Sequence, residues 1–268
     1  MQQTGNSLAT TPAIRLGNTA VDIAISNTQG SYTFIHHIIN TENDYNETVE
    51  QLLKEHADAF AQCHKPIPVL FDRKYLTIPA DEFQAEQAET LYRYALTDDK
   101  DTLAQPLFLP QLSTYILFAI PDNLLQLINK LIPMPQLQPI AVPLWRHTAQ
   151  HRQAKAADTL YAYTYDGNLE IYAIKDNRLK FANRFPAAHP HDILYYILFV
   201  WEQLGMQHHI HQLHLLGTLP QEEWLTDRLR TFILHVTPHA DQQLYQQSNT
   251  QPATTLPADI LAAITTCE

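Results

Sequence analysis

Between Asp158 and Gly217 the chain spells three strands, a long apolar helix and a fourth strand, and that order limits what it can fold into. Thr159 to Tyr165 is rich in Tyr and Thr, which suit a pleated, half-buried surface. Asp166-Gly167 then separates it from the apolar run Leu169 to Ile174. An Asp-Gly pair between two such runs predicts a tight hairpin, because both turn positions need positive φ. A second turn, Lys175 to Asn177, leads into Arg178 to Phe185, where Leu179, Phe181 and Phe185 point one way and Lys180 and Arg184 the other. That alternation predicts a meander with one buried and one solvated face. Pro186 ends the third strand, since it cannot donate to a ladder.

From Pro190 to Leu204 a stripe of Ile193, Ile197 and Trp201 is widened by Leu194, Leu198 and Phe199, which predicts a helix buried on most sides. Gly205 supplies the left-handed stop. The apolar run is far shorter than the roughly 18 residues a membrane span requires. Leu213, Leu215 and Leu216 form a short strand ending at Gly217-Thr218. Pro220 with Glu222 and Glu223 opens another helix, the Pro fitting its first turn and the acids its dipole, and Phe232 to Val236 is a last strand. The order is βββαβαβ.

A second copy of this plan occupies residues 13 to 72. Ile14 to Leu16 is a strand and Gly17-Asn18 a turn; Val21, Ile23 and Ile25 then alternate with Asp22, Ala24 and Ser26. Gln29-Gly30 turns into the strand Tyr32 to Ile39. Asn43 or Asp44 caps a helix reaching about Ala61, with Val49, Leu52, Leu53, His56 and Phe60 on its apolar face, and Ile67 to Phe71 is the fourth strand. Gly17-Asn18 and Gly167-Asn168 stand 150 positions apart at the same turn of each copy, so the repeat lies in the order of elements rather than in identity.

Four segments follow: a loose tail 1–12, a first lobe 13–146 carrying an insertion 73–112, a linker 147–157, and a second lobe 158–268. In the insertion, Asp81 with Gln84 reads as a cap pair before a helix Ala85 to Ala95, and Thr97 to Gln105 as a surface loop. Thr114 to Ile120 is a strand, Pro121-Asp122 starts a helix to Ile132, and Gln136 to Leu144 is the first lobe's last strand. His147 to Ala157 bridges the lobes, Gln242 to Gln251 is Gln-rich, and Pro257 to Ile264 docks as a final helix.

Lys and Arg number 17 against 28 Asp and Glu, a net charge of −11, which argues against nucleic acid or an anionic membrane as partner. Cys63 and Cys267 are far apart and lack metal-type spacing, which points to a reducing, cytoplasmic setting.

Two βββαβα lobes in tandem resemble the superfamily of actin, hexokinase and the heat-shock chaperone ATPase domain, an α/β fold of two ribonuclease H-like lobes in an actin-like ATPase arrangement. The runs Arg178 to Phe185, His191 to Trp201 and Leu215-Leu216-Gly217 look more specifically like an uncharacterised bacterial family of unknown function grouped with the actin-like ATPases. They are also similar to the cytoplasmic actin-like scaffolds of pilus and type II secretion machinery. The resemblance covers Ile14 to Ile264 and implies a nucleotide cleft between the lobes, with Gly-rich hairpins on the phosphates and an Asp from each lobe at Mg²⁺. Backbone N–H groups approach phosphate closely only where a residue has no Cβ, and the metal needs a carboxylate. Here the loops read Arg15-Leu16-Gly17-Asn18, Tyr165-Asp166-Gly167-Asn168 and Leu216-Gly217-Thr218, from a chain with six Gly in all. The expectation is a catalytically silent scaffold or protein-binding domain without a required cofactor and without catalytic or metal-ligating residues, its partner another protein. The alternative is a divergent ATP-binding ATPase or kinase using Thr218, Asn18 and Asp166. Any ligand would enter at Gly17, Asn18, Asp166, Gly167, Gly217 and Thr218.

His208, His209, His211 and His214, with His189 and His191 upstream, raise a metal hypothesis, but the stretch reads as a solvated helix-to-strand loop. His36 and His37 point to opposite faces of a strand. Asp22, Asp72 and Asp192 do not assemble as the two-metal carboxylates of a nuclease would. Tyr161, Tyr163, Tyr165, Tyr172, Tyr195 and Tyr196 read as sheet and core packing.

Overall fold

The computed structural model describes residues 11–26, 31–39, 45–96, 102–151, 158–241 and 256–266. The expected Gln29-Gly30 turn, the Asn43 or Asp44 cap, the tail up to residue 10 and the Gln-rich stretch lie outside them.

The first lobe runs β1 (Ala13–Leu16), β2 (Ala20–Ser26), β3 (Tyr32–Ile38), α1 (Tyr45–Glu55), α2 (Ala57–Ala61), β4 (Ile67–Phe71), an insertion, α4 (Asp122–Leu131) and β8 (Pro135–Pro139). The second runs β9 (Thr159–Tyr165), β10 (Asn168–Lys175), β11 (Arg178–Pro186), α6 (Pro190–Gln203), β12 (Gln212–Gly217), α7 (Glu222–Phe232) and β13 (His235–Thr237). The two five-stranded sheets are ordered β3-β2-β1-β4-β8 and β11-β10-β9-β12-β13. In each, the first three strands are antiparallel and the fourth and fifth run parallel to the first, so the repeat holds strand for strand.

Turn chemistry accounts for the register. Asp166 and Gly167 have φ of 42° and 71°, and Asp176 and Asn177 φ of 51° and 55°, so both β9–β10 and β10–β11 are closed by tight turns with two left-handed residues. Helix α6 ends in a Schellman motif: Met206 N–H donates to Trp201 O at 3.0 Å across Gly205, whose φ is 63°. Its buried side is Ile193, Ile197, Val200 and Trp201, while Tyr195 and Phe199 remain 60% and 45% exposed. The helix is buried on one face, not on most sides as its composition predicts.

The insertion is a unit of its own. β5 (Tyr75–Pro79), β7 (Thr114–Pro121) and β6 (Thr102–Leu109) form an antiparallel sheet covered by α3 (Ala88–Ala95), with a separate small core of Ile78, Ala88, Tyr92, Leu117 and Ala119. Thr114 to Ile120 thus pairs inside the insertion, and Thr102 to Gln105 is strand rather than loop. Gln84 makes no side-chain cap before the helical turn at Ala85.

Two helices join the lobes. The strand expected to Leu144 stops at Pro139, and α5 (Ala141–His151) takes over, so the first part of the expected linker is helix. α5 packs on β10 of the second lobe and on α8 (Ala258–Thr266). α8 follows the second lobe in sequence but packs against α5, β1 and β4 of the first, with every residue from Ala258 to Ile264 buried. Thr11 and Pro12, expected in a loose tail, are buried beside β3, where Tyr32 OH donates to Thr11 O at 3.4 Å.

The solvated face expected of the β9–β10 meander is covered. Leu160, Ala162, Leu169 and Ile171 face α6 and α7, while Tyr163, Tyr165, Tyr172 and Ile174 join the first lobe's core. Docking of a second lobe turns a half-buried antiparallel ribbon into one buried on both faces.

Candidate functional site

The seam between the lobes is lined by charged side chains planted in otherwise apolar strands. β1 carries Arg15 and β2 carries Asp22 directly opposite it. Arg15 Nε donates to Asp22 Oδ2 at 2.7 Å, and its Nη1 donates to both oxygens of Asp259 on α8 at 3.3 Å. Tyr163 OH of β9 completes the set, donating to Asp259 Oδ1 at 2.8 Å. Asp22 Oδ1 also meets His36 Nδ1 at 2.6 Å. Burial works against the Arg15 charge, but Asp259, Tyr163 and Asp22 outweigh it and hold its pKa above the ordinary guanidinium value.

A second set lies where β4 ends. Asn18 Nδ2 donates to Asp72 Oδ2 at 2.9 Å, and Tyr165 OH donates to Asp72 Oδ1 at 3.3 Å. Arg184 of β11 reaches across the lobes to pair with Asp72 Oδ1. Burial pushes the Asp72 carboxyl up, with Arg184 and the Tyr165 hydroxyl pulling the other way. Next to it Glu170 of β10 accepts from Tyr75 OH of β5. Trp145 of α5 closes this side, its ring 5.2 Å from Tyr75 and 6.3 Å from Tyr172.

Of the six residues picked from the sequence, Gly17 and Asp166 come together: a Cβ on Gly17 would stand 3.5 Å from Asp166 Oδ2. Asn18 is tied to Asp72 rather than left open. Gly167 closes the β9–β10 turn beside Ala188. Gly217 and Thr218 are packed on β9, Thr164 Oγ1 donating to Thr218 O at 2.8 Å. The residues that knit the seam (Arg15, Asp22, Asp72, Glu170, Arg184 and Asp259) are not among those six. Their signal was a charged residue flanked by apolar ones, as in Ile14-Arg15-Leu16, Leu169-Glu170-Ile171 and Ala258-Asp259-Ile260. Among the described residues no three His, Cys, Asp or Glu side chains gather as a metal site, and no helix is long and apolar enough to cross a membrane.

On α5, burial and the neighbouring His151 push His147 down from 6.5 to about 4, and its Nδ1 has no hydrogen-bond partner among the described residues. The folded state therefore prefers the neutral ring: its contribution to stability is full above about pH 6.5 and is lost as pH falls toward 4. Replacing His147 by Gln is expected to flatten the acid side of a stability–pH profile measured by urea unfolding.

Residues 3–236 match the family described as protein of unknown function (DUF3822). The chain belongs to this family. No curated protein matches the sequence. Among solved structures, this chain is similar to a Bacteroides thetaiotaomicron protein described as having an actin-like ATPase fold and unknown function. That match has a TM-score of 0.79 and 24% identity, with 100% of both chains covered. A structure described as the PilM–PilN type IV pilus biogenesis complex matches with a TM-score of 0.58 and 9% identity over 95% of this chain and 96% of the other. The chain therefore has the two-lobed actin-like ATPase fold that the repeated βββαβαβ order implied.

Proposed function

We propose that this chain is a non-catalytic actin-like scaffold or protein-binding domain, cytoplasmic, whose lobes are held together by its own side chains instead of a nucleotide. Asp72 carries this reading. Both its oxygens are taken by protein donors, Asn18 on one and Tyr165 with Arg184 on the other, and Arg184 comes from the opposite lobe. A carboxylate so engaged has most of its roughly four acceptor sites filled, and the Arg184 guanidinium already supplies the opposite charge that a cation would bring.

The glycines lead the same way. A Cβ on Gly17 would meet Ala20 O at 2.9 Å, and one on Gly217 would meet Thr164 O at 2.2 Å. Gly167 has the positive φ of its turn. Each is accounted for by the chain's own backbone, with no phosphate required. The residues present fit ATP and Mg²⁺ poorly.

Isothermal titration of the full chain with ATP and Mg²⁺ tests this. The expected result is no saturable heat at millimolar nucleotide. Micromolar binding would overturn the proposal in favour of a divergent ATPase.

A further inference from the structure

Charge does not balance along the seam. Asp22, Asp72, Glu170 and Asp259 are each at most 4% exposed. Among the described residues two guanidinium groups, Arg15 and Arg184, pair with them, and the His36 ring lies against Asp22. Arg15 serves Asp22 and Asp259. Arg184 pairs with Asp72 and stands directly opposite Glu170 in the β10–β11 register. Glu170 is met by the Tyr75 hydroxyl from the insertion sheet, and its other titratable neighbours are Asp72, Tyr165 and Tyr172. Two carboxylates, each at most 4% exposed, thus lean on one guanidinium, with the Trp145 ring packed against Tyr75 and Tyr172 beside them. A desolvated carboxylate without its own counter-charge keeps a proton instead.

We propose that Glu170 holds a proton while the lobes are closed, so that the contact between the insertion sheet and the second lobe is a proton-linked clasp. When that proton leaves, a second negative charge faces Asp72 across a single guanidinium. Water must then enter between β5 and β10 to solvate it. This goes beyond the scaffold proposal and holds whether or not nucleotide binds.

Burial pushes Glu170 up from 4.5 to about 8, against the Tyr75 hydrogen bond and Arg184, with Asp72 adding to the rise. A folded-state value above the unfolded one gives a contribution that is full below about pH 4.5 and is lost as pH rises through about 8. His147 acts in the opposite sense between about 4 and 6.5, so the Glu170 effect emerges above about pH 6.5.

The test is urea unfolding of the full chain from about pH 6.5 to about pH 9, with amide exchange followed in β5 and β10. The wild-type midpoint is expected to fall across this range, and β5 amides to lose protection before those of β1 and β4. Glu170→Gln, which keeps shape without the charge, is expected to give a flat midpoint that exceeds wild type at the alkaline end. A Glu170→Gln profile with the wild-type slope overturns the proposal. If that variant does not fold, the wild-type infrared spectrum decides. A protonated carboxylic C=O band at neutral pH that vanishes by about pH 9 supports the clasp. Its absence at neutral pH overturns it.

Discussion

Gly217→Ala is expected to destabilise the protein by about 3 kcal/mol or more, enough to lower the melting temperature by about 5 °C or more in a chain of this size. Two separate costs meet at this position. Its φ is 80°, where an L-residue is strained, and a Cβ would stand 2.2 Å from the Thr164 carbonyl oxygen and 2.9 Å from the Tyr163 ring. Neither neighbour can retreat. Thr164 is paired in β9 with both β10 and β12, and the Tyr163 hydroxyl is tied to Asp259. Gly205 serves as the control: its φ is 63°, yet nothing lies within 4 Å of an added Cβ. Gly205→Ala should therefore cost only the conformational part, about 1 kcal/mol. Equal losses for the two variants, measured by thermal unfolding under identical conditions, would show that the contact with β9 contributes nothing.

Arg15→Met should be as damaging. Arg15 is 5% exposed and lies between Asp22 and Asp259, both 0% exposed. Taking the cation away leaves buried Asp259 without a counter-charge and buried Asp22 with His36 alone beside it, and breaking a buried pair from one side costs about 3–5 kcal/mol. Asp259→Asn is milder, about 1–3 kcal/mol, because Arg15 keeps Asp22 and the amide still accepts from Tyr163. Because Asp259 sits on α8, the Arg15→Met variant should also lose amide-exchange protection in Ala258 to Thr266 before the rest of the first lobe does. A loss below about 1 kcal/mol in urea unfolding would mean that water already reaches the pair.

How this frame was legible from the chain is clear from particular elements. Asp166-Gly167 forces a hairpin, because few other pairs tolerate two left-handed residues in succession. The stripe Ile193, Ile197 and Trp201 marks the buried face of α6, and Gly205 marks its end. These are local properties. They repeat in the same order in both halves, and that order implies two sheets with the same strand sequence.

Long-range packing was not legible. Nothing in the alternation of β9 and β10 tells a solvent-facing Tyr from one covered by a second lobe, so Tyr163 and Tyr172 could be placed in a sheet but not in a seam. Helix α6 looked buried all round because composition records how many apolar residues a helix has, not how much of its surface a neighbour covers. Helix α8 shows the converse: it follows the second lobe in the chain yet packs in the core of the first. Chain order fixes the order of elements, and which lobe a terminal helix joins is set by where its apolar surface finds cover.

The sequence by itself determined the two βββαβαβ units, the turns that close their hairpins and the sparse glycine of the loops between the lobes. Only the tertiary structure decided that Arg15 would meet Asp259 across 244 positions and Arg184 would meet Asp72 across 112. The reason is physical. A turn or a helix stripe is written in neighbouring residues, whereas a buried charge is stable only beside a partner that folding brings from elsewhere.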